Sequence, residues 1–165
     1  MWDFTLTDQN GVKRSISEFR GNYVLIYFGY TSCNGVCHMM LRNISQALKI
    51  MENNLDRITP IFITINPERD TSNHLKNYAK NLHPKFITLT GTPEQVTAVL
   101  EKYKIYQFKV EADETMLDPL IEHSTLAYLF DQEGVLVKLF DQSISPTRLA
   151  NEVKALFEEE KKKLN

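Results

Sequence analysis

Residues 23–38 read YVLIYFGYTSCNGVCH. Tyr23 to Phe28 is an unbroken run of β-branched, aliphatic and aromatic side chains, the pattern of a central strand covered on both faces. From Cys37 onward the period changes. Met40, Leu41, Ile44, Ala47, Leu48 and Met51 recur at steps of three and four, which places them on one face of a helix. Strand, cysteines and helix therefore form one unit, with Cys33 and Cys37 where the strand ends and the helix begins.

Reading outward, the same alternation repeats. Ile61 to Ile65 predicts a second buried strand, and Leu75, Tyr78, Ala79 and Leu82 mark a second helix, with Asn66-Pro67 at the junction. Phe86 to Leu89 predicts a short strand. Thr92-Pro93-Glu94-Gln95 combines a capping box with proline at the first helical position, and Val96, Val99, Leu100 and Tyr103 form the apolar stripe that follows. Lys109 to Pro119 is acidic and aperiodic, a surface loop that delivers the chain to His123. Ser124 to Phe130 and Val135 to Phe140 predict two strands joined through Asp131-Gln132-Glu133-Gly134. Ser145-Pro146 opens a last helix buried through Leu149, Val153, Leu156 and Phe157. Upstream, Phe4 to Thr7 and Val12 to Ser15 flank Asp8-Gln9-Asn10-Gly11, a hairpin signal. Crossovers of this length make the central strands parallel. The expectation is an α/β fold, a central mixed sheet flanked by helices, with an extra N-terminal β-hairpin.

The 165 residues, 42% hydrophobic and 24% charged, suit a single domain over 1–165. Net charge is -2, and the bases are spread along the chain without a basic stripe, so nucleic acid is not an expected partner. The apolar run at 23–30 falls far short of the roughly 20 residues a bilayer-spanning helix needs. Met1-Trp2-Asp3-Phe4 lacks the basic and apolar segments of a signal peptide. No large apolar surface pattern stands out, so a monomer is expected. Two cysteines cannot make the framework of a small disulfide-rich domain.

Their value lies in reactivity or metal binding. Strand ends of open α/β sheets are where ligands bind, and the unpaired amides of a helix N-terminus are expected to lower the thiol pKa. On a regular helix, residues i and i+4 hold their Cβ atoms ~5–6 Å apart, whereas a disulfide wants about 3.5–4.5 Å. Two sulfurs at that spacing can share one metal ion at ~2.3 Å each, while Asn34-Gly35 leaves freedom to close a disulfide. The bland alternative is a pair of buried structural cysteines, against which their place at the strand end weighs. Two thiolates leave the shell of copper or zinc incomplete. Of the four histidines, His123 is the best third ligand, because it starts the hairpin that follows the acidic loop and can face the ligand-binding end. His38 points ~100° from Cys37 and reads as a surrounding or surface group. His74 reads as helix surface and His83 as loop.

SCNGVCH after YVLIYFGY, then INPERDT, then IEHSTLAYLFDQEG resemble the Sco/SenC family, thioredoxin-like copper chaperones for the CuA centre of cytochrome c oxidase. The similarity runs from FTLTDQNG to the last helix. It implies copper, as Cu(I) or Cu(II), held by Cys33, Cys37 and His123. It implies the CuA-bearing oxidase subunit as partner, with other copper chaperones as further partners. It also implies an N-terminal membrane anchor upstream of residue 1, holding the domain in a bacterial periplasm or the mitochondrial intermembrane space. The sequence departs from the family at Asn34 and His38, where proline usually follows each cysteine, and at Asn66, usually aspartate. These changes loosen the loop and remove a nearby anion, which bears on copper affinity and redox potential. The acidic stretch Glu111 to Asp118 and Tyr30 are the expected contact surface for the receiving protein.

The rival reading uses the same residues. A thiol-disulfide reductase would keep the CuA cysteines reduced with Cys33 and Cys37 as its redox pair and Cys33, nearer the loop, as the attacking thiol. Three residues between the cysteines make that disulfide harder to close than two would, so no dedicated enzymatic activity is expected. Peroxide reduction lacks the threonine and proline setting it requires before its cysteine. A redox or copper sensor is a further alternative.

Overall fold

The computed structural model describes residues 3–33, 35–105, 107–109, 121–123 and 126–165, with 107–109 and 121–123 described by backbone. In chain order the elements are β1 (Thr5–Asp8), β2 (Lys13–Ser15), β3 (Tyr23–Gly29), α1 (Val36–Ile50), β4 (Ile58–Thr64), α2 (Ser72–Ala79), β5 (Ile87–Thr90) and α3 (Pro93–Lys102). There follow β6 (Gln107–Lys109), β7 (Ile121–His123), β8 (Ala127–Phe130), β9 (Leu136–Phe140) and α4 (Pro146–Leu164). Seven strands form one mixed sheet in the order β2-β1-β5-β4-β3-β8-β9. β3, β4 and β5 are parallel, in register from Tyr23 opposite Ile58 to Gly29 opposite Thr64. The expected α/β, thioredoxin-like architecture is present.

Every residue of β3 and β4 is buried, as the unbroken apolar runs require of strands with elements on both faces. Pro60, which has no N–H to donate, is paired with Leu25 on one side, whereas the pairing with β5 starts only at Ile61. Alternation along β3 divides the core. On one face Tyr23 meets Phe157 of α4 edge-on at 4.9 Å, and α1 and α4 pack together there. Tyr78 of α2 stacks near Phe62 on that same face. On the other, Phe28 meets Tyr103 at the end of α3, which also touches Phe4 and Phe130. Each such aromatic contributes about 1.5–3 kcal/mol through burial alone.

The N-terminal hairpin forms as expected, with Thr5 opposite Ser15 and Gly11 at φ +76° supplying the left-handed turn residue. It is no appendage: β1 also pairs with β5 and extends the central sheet. The outer strand at the opposite edge is β9, where Leu136, Val137 and Leu139 are exposed on either side of Lys138, which is paired with Glu152.

Two expectations are corrected. The strand predicted over Ser124 to Phe130 is not continuous from His123: β7 ends at His123 and pairs with β6 as a separate antiparallel ribbon, while β8 starts at Ala127 within the main sheet. The stretch predicted as loop from Lys109 begins with the end of β6; the acidic residues Glu111 to Asp118 lie outside the described residues. No helix among the described residues is long and apolar enough to cross a membrane.

Candidate metal site

The site grows from the end of β3. A Cβ on Gly29 would stand 3.0 Å from Cys37 Sγ and 3.1 Å from the Phe62 ring, so the absence of a side chain there is what lets α1 bring its first turn against the strand. Cys33 follows through a turn in which its N–H donates to the Tyr30 carbonyl at 3.2 Å. Gly35 then caps α1 at φ +121°, a left-handed conformation that a side chain would strain.

This local path brings Cys33 and Cys37 together as reduced thiols, 8% and 0% exposed. Their sulfurs are hydrogen-bonded, and the Cys37 thiol is pushed well above the ordinary range, first by that bond to Cys33 and then by burial. The Tyr30 amide and the Tyr27 hydroxyl also reach the Cys37 sulfur and act in the opposite direction, but they do not prevail. The expectation that the helix N-terminus lowers the thiol pKa is therefore corrected for Cys37: a completely buried sulfur loses more by desolvation and by sharing a proton with its neighbour than the helix dipole returns. Burial and the nearby sulfurs likewise keep the Tyr27 and Tyr78 phenols protonated far into the alkaline range. Tyr30, expected as contact surface, is 4% exposed and belongs to the core.

Behind the thiols lies a group of residues the sequence reading missed. Asp70, fully buried, accepts hydrogen bonds from the Thr31 amide at 3.0 Å, the Thr31 hydroxyl at 2.5 Å and the Thr64 hydroxyl at 2.7 Å. Because the single hydroxyl proton of Thr31 goes to Asp70, His74 Nε2 carries a hydrogen and donates to Thr31 Oγ1 at 2.8 Å. His74 is thus no plain helix-surface residue. The network ties the turn before Cys33 to the end of β4 and the start of α2. Asn66, where the family pattern has aspartate, takes part through its backbone, donating to Thr64 Oγ1 and accepting from the Asp70 amide.

Of the remaining candidates, His38 is exposed, its Nδ1 3.1 Å from the Tyr78 hydroxyl, and His83 lies in the loop after α2, where its Nδ1 accepts from the Lys85 amide. His123 closes β7 with its backbone opposite Gln107; its side chain lies outside what is described, as does Asn34. Among the described residues no three or more His, Cys, Asp or Glu side chains gather as a metal cluster. A buried pair of hydrogen-bonded thiols can give up its protons when a soft cation binds both sulfurs, or close into a disulfide when an oxidant takes up two electrons and both protons leave.

The SCO1/SenC family model matches residues 1–158. An SCO2-like protein of Rickettsia prowazekii is 41% identical over 157 residues, which cover 95% of this chain and 75% of the relative. Bradyrhizobium japonicum ScoI with copper bound matches with TM-score 0.86 at 36% identity, over 93% of this chain and 97% of that one. Arabidopsis thaliana ScoI with copper bound matches with TM-score 0.87 at 30% identity, over 96% and 98%.

Proposed function

Because this chain belongs to the SCO1/SenC family, we propose that it carries copper on Cys33, Cys37 and His123 and delivers it to the CuA site of cytochrome c oxidase. The observation that carries this reading is the buried pair of hydrogen-bonded sulfurs at the end of β3. Soft thiolates select Cu(I), and the ion replaces the proton that Cys37 holds. The Tyr27 hydroxyl and the Tyr30 amide then remain on the Cys37 sulfur and spread its charge. An imidazole from His123, assigned through the IEHSTLAYLFDQEG motif, completes a three-coordinate site that also accepts Cu(II). Delivery proceeds by exchange of one ligand at a time. Cys33, the less buried sulfur and the one on the turn, gives up the ion ahead of Cys37. The copper-bound ScoI relatives support the cargo. The family supports a membrane-anchored setting, in a bacterial periplasm or the mitochondrial intermembrane space, with the CuA-bearing subunit and other copper chaperones as partners.

Competition titrations of reduced protein with Cu(I), and spectroscopic titrations with Cu(II), test the assignment. Cys37→Ser is expected to weaken Cu(I) binding by more than the ~100-fold that losing an outer hydrogen-bond partner costs a metal site. His123→Ala is expected to lose the thiolate-to-Cu(II) absorption while retaining weakened Cu(I) binding. Equal binding by wild type and both variants sinks the reading.

The hydrogen-bonded sulfurs also favour a second reading, a thiol-disulfide reductase that keeps the CuA cysteines reduced. The raised pKa of Cys37 makes it a poor thiolate at neutral pH, which leaves Cys33 to attack. This reading requires the metal-free protein to reduce a disulfide-bonded CuA-loop peptide and the Cys33→Ser variant to fail at it.

A further inference from the structure

We propose that the groove between α1 and α2 docks an acidic segment of the protein that exchanges metal with Cys33 and Cys37. The inference rests on the metal-carrier reading above and adds the chemistry of the partner. The groove encloses about 430 Å³ and is lined by His38, Arg42, Gln46, Lys49, Tyr78 and Asn81 among others, none of them acidic. Its cations are not incidental to the local sequence. Residues 33–51 contain Arg42 and Lys49 and no Asp or Glu; residues 71–93 contain Lys76 and Lys80, then Lys85, and again no Asp or Glu. Five cations without an anion therefore sit in the two stretches that build the groove, and two of them, Arg42 and Lys49, line it, in a chain whose net charge is -2.

None of the five makes an ion pair among the described residues, whereas Arg14, Arg57, Lys138 and Arg148 each hold a carboxylate elsewhere on the molecule. Arg42 and Lys49 lie two turns apart on one face of α1, so their charges act along a line. The positive potential is felt locally: the His83 imidazole is held below its ordinary value by burial and then by Lys49 and Lys85. Position links the groove to the chemistry. It begins at His38, the residue after Cys37, and the Tyr78 hydroxyl on its wall contacts His38 Nδ1 at 3.1 Å. A chain laid along it would bring its own metal ligands to the mouth of the dithiol. The recess between two helices, with the amide groups of Gln46 and Asn81 on its walls, suits an extended peptide better than the plane of a bilayer. Unpaired cations steer an acidic partner in and set the encounter rate more than the final affinity.

The test uses reduced, isotope-labelled full chain with acetylated hexaglutamate as probe. Amide shifts are expected to cluster at residues 38–49 and 76–85, and to fade as salt is raised to about 0.15 M and beyond. Arg42→Glu combined with Lys49→Glu is expected to weaken peptide binding about tenfold or more, and Lys162→Glu with Lys163→Glu on α4 to leave it within about twofold. Shifts scattered over the surface, equal weakening by the two double variants, or tighter binding to phosphatidylglycerol vesicles or a DNA duplex than to the peptide each overturn the proposal. Cu(I) titration of the same samples separates the two readings. Absent peptide binding with intact copper binding refutes the docking groove alone, and absent copper binding by the wild type refutes the carrier.

Discussion

At the residue scale the site is governed by what surrounds each charge. Asp70 accepts three hydrogen bonds in a place with no access to water, so Asp70→Asn turns an acceptor into a partial donor facing three donors. It should cost about 3–5 kcal/mol, read as a lowered midpoint in urea. Cys37 gives a signed pH dependence. Its folded-state pKa is raised above the ordinary thiol value of 9.0, so the folded state favours the neutral thiol. The associated stability is complete below that value and is lost as pH rises past it. Metal-free reduced protein should therefore weaken above about pH 9, and Cys37→Ser should flatten the part of the slope that Tyr27 and Tyr78 do not supply. Conversely, Cu(I) affinity should climb with pH through the neutral range, because each ion bound expels the proton Cys37 keeps. The two sulfurs were legible in sequence because strand and helix periods meet at them. The direction of the Cys37 shift was not, since it comes from the complete burial that packing imposes. Asp70 and His74 were hidden for a similar reason: INPERDT reads as a polar turn until β4, the turn before Cys33 and α2 converge on it.

At the element scale, the α1 start and the α3 start make a controlled comparison. Gly35 caps α1 at φ +121°, and Gly35→Ala forces a side chain into that conformation at a cost of about 1–3 kcal/mol. Since α1 carries Cys37, copper binding should weaken along with stability. Thr92 caps α3 in a reciprocal pair with Gln95, at 2.9 and 3.2 Å, away from the sulfurs. Thr92→Ala should lose about 1 kcal/mol and leave copper affinity unchanged, which calorimetry on both variants can check. The long, single-period patterns of β3, α1, β4 and α4 were legible, and the shorter N-terminal hairpin, α2, β5, α3 and β9 were legible from their turn and capping signals. The break between β7 and β8 was not readable, because IEHSTLAYLF carries one continuous strand-like composition and only the pairing partners, β6 for one part and β3 with β9 for the other, divide it. Pro60 in a central strand is a similar case, tolerated because β5 starts one residue later.

At the scale of the whole molecule, folding rearranges charge and apolar surface in ways a linear reading does not register. The bases look evenly scattered along the chain, yet α1, α2 and the following loop hold five of them without an acid, and Arg42 and Lys49 line the groove between the two helices. The C-terminal helix packs against α1. Arg57 lies 4.4 Å over the Phe157 ring while pairing with Glu160, and Phe157, fully buried, also meets Tyr23. Phe157→Ala should therefore cost about 3–5 kcal/mol, lowering the thermal midpoint of the entire domain in one cooperative step. The outer strand β9 has a different consequence. Its rim of unpaired backbone groups is flanked by three bare aliphatic side chains, and one lysine, tethered across to the last helix, stands guard among them. Exchanging Lys138 for valine would leave a sticky, uncharged ribbon at the boundary of an otherwise well-behaved fold. Light scattering from concentrated samples should then reveal strand-to-strand clumping that the parent chain resists.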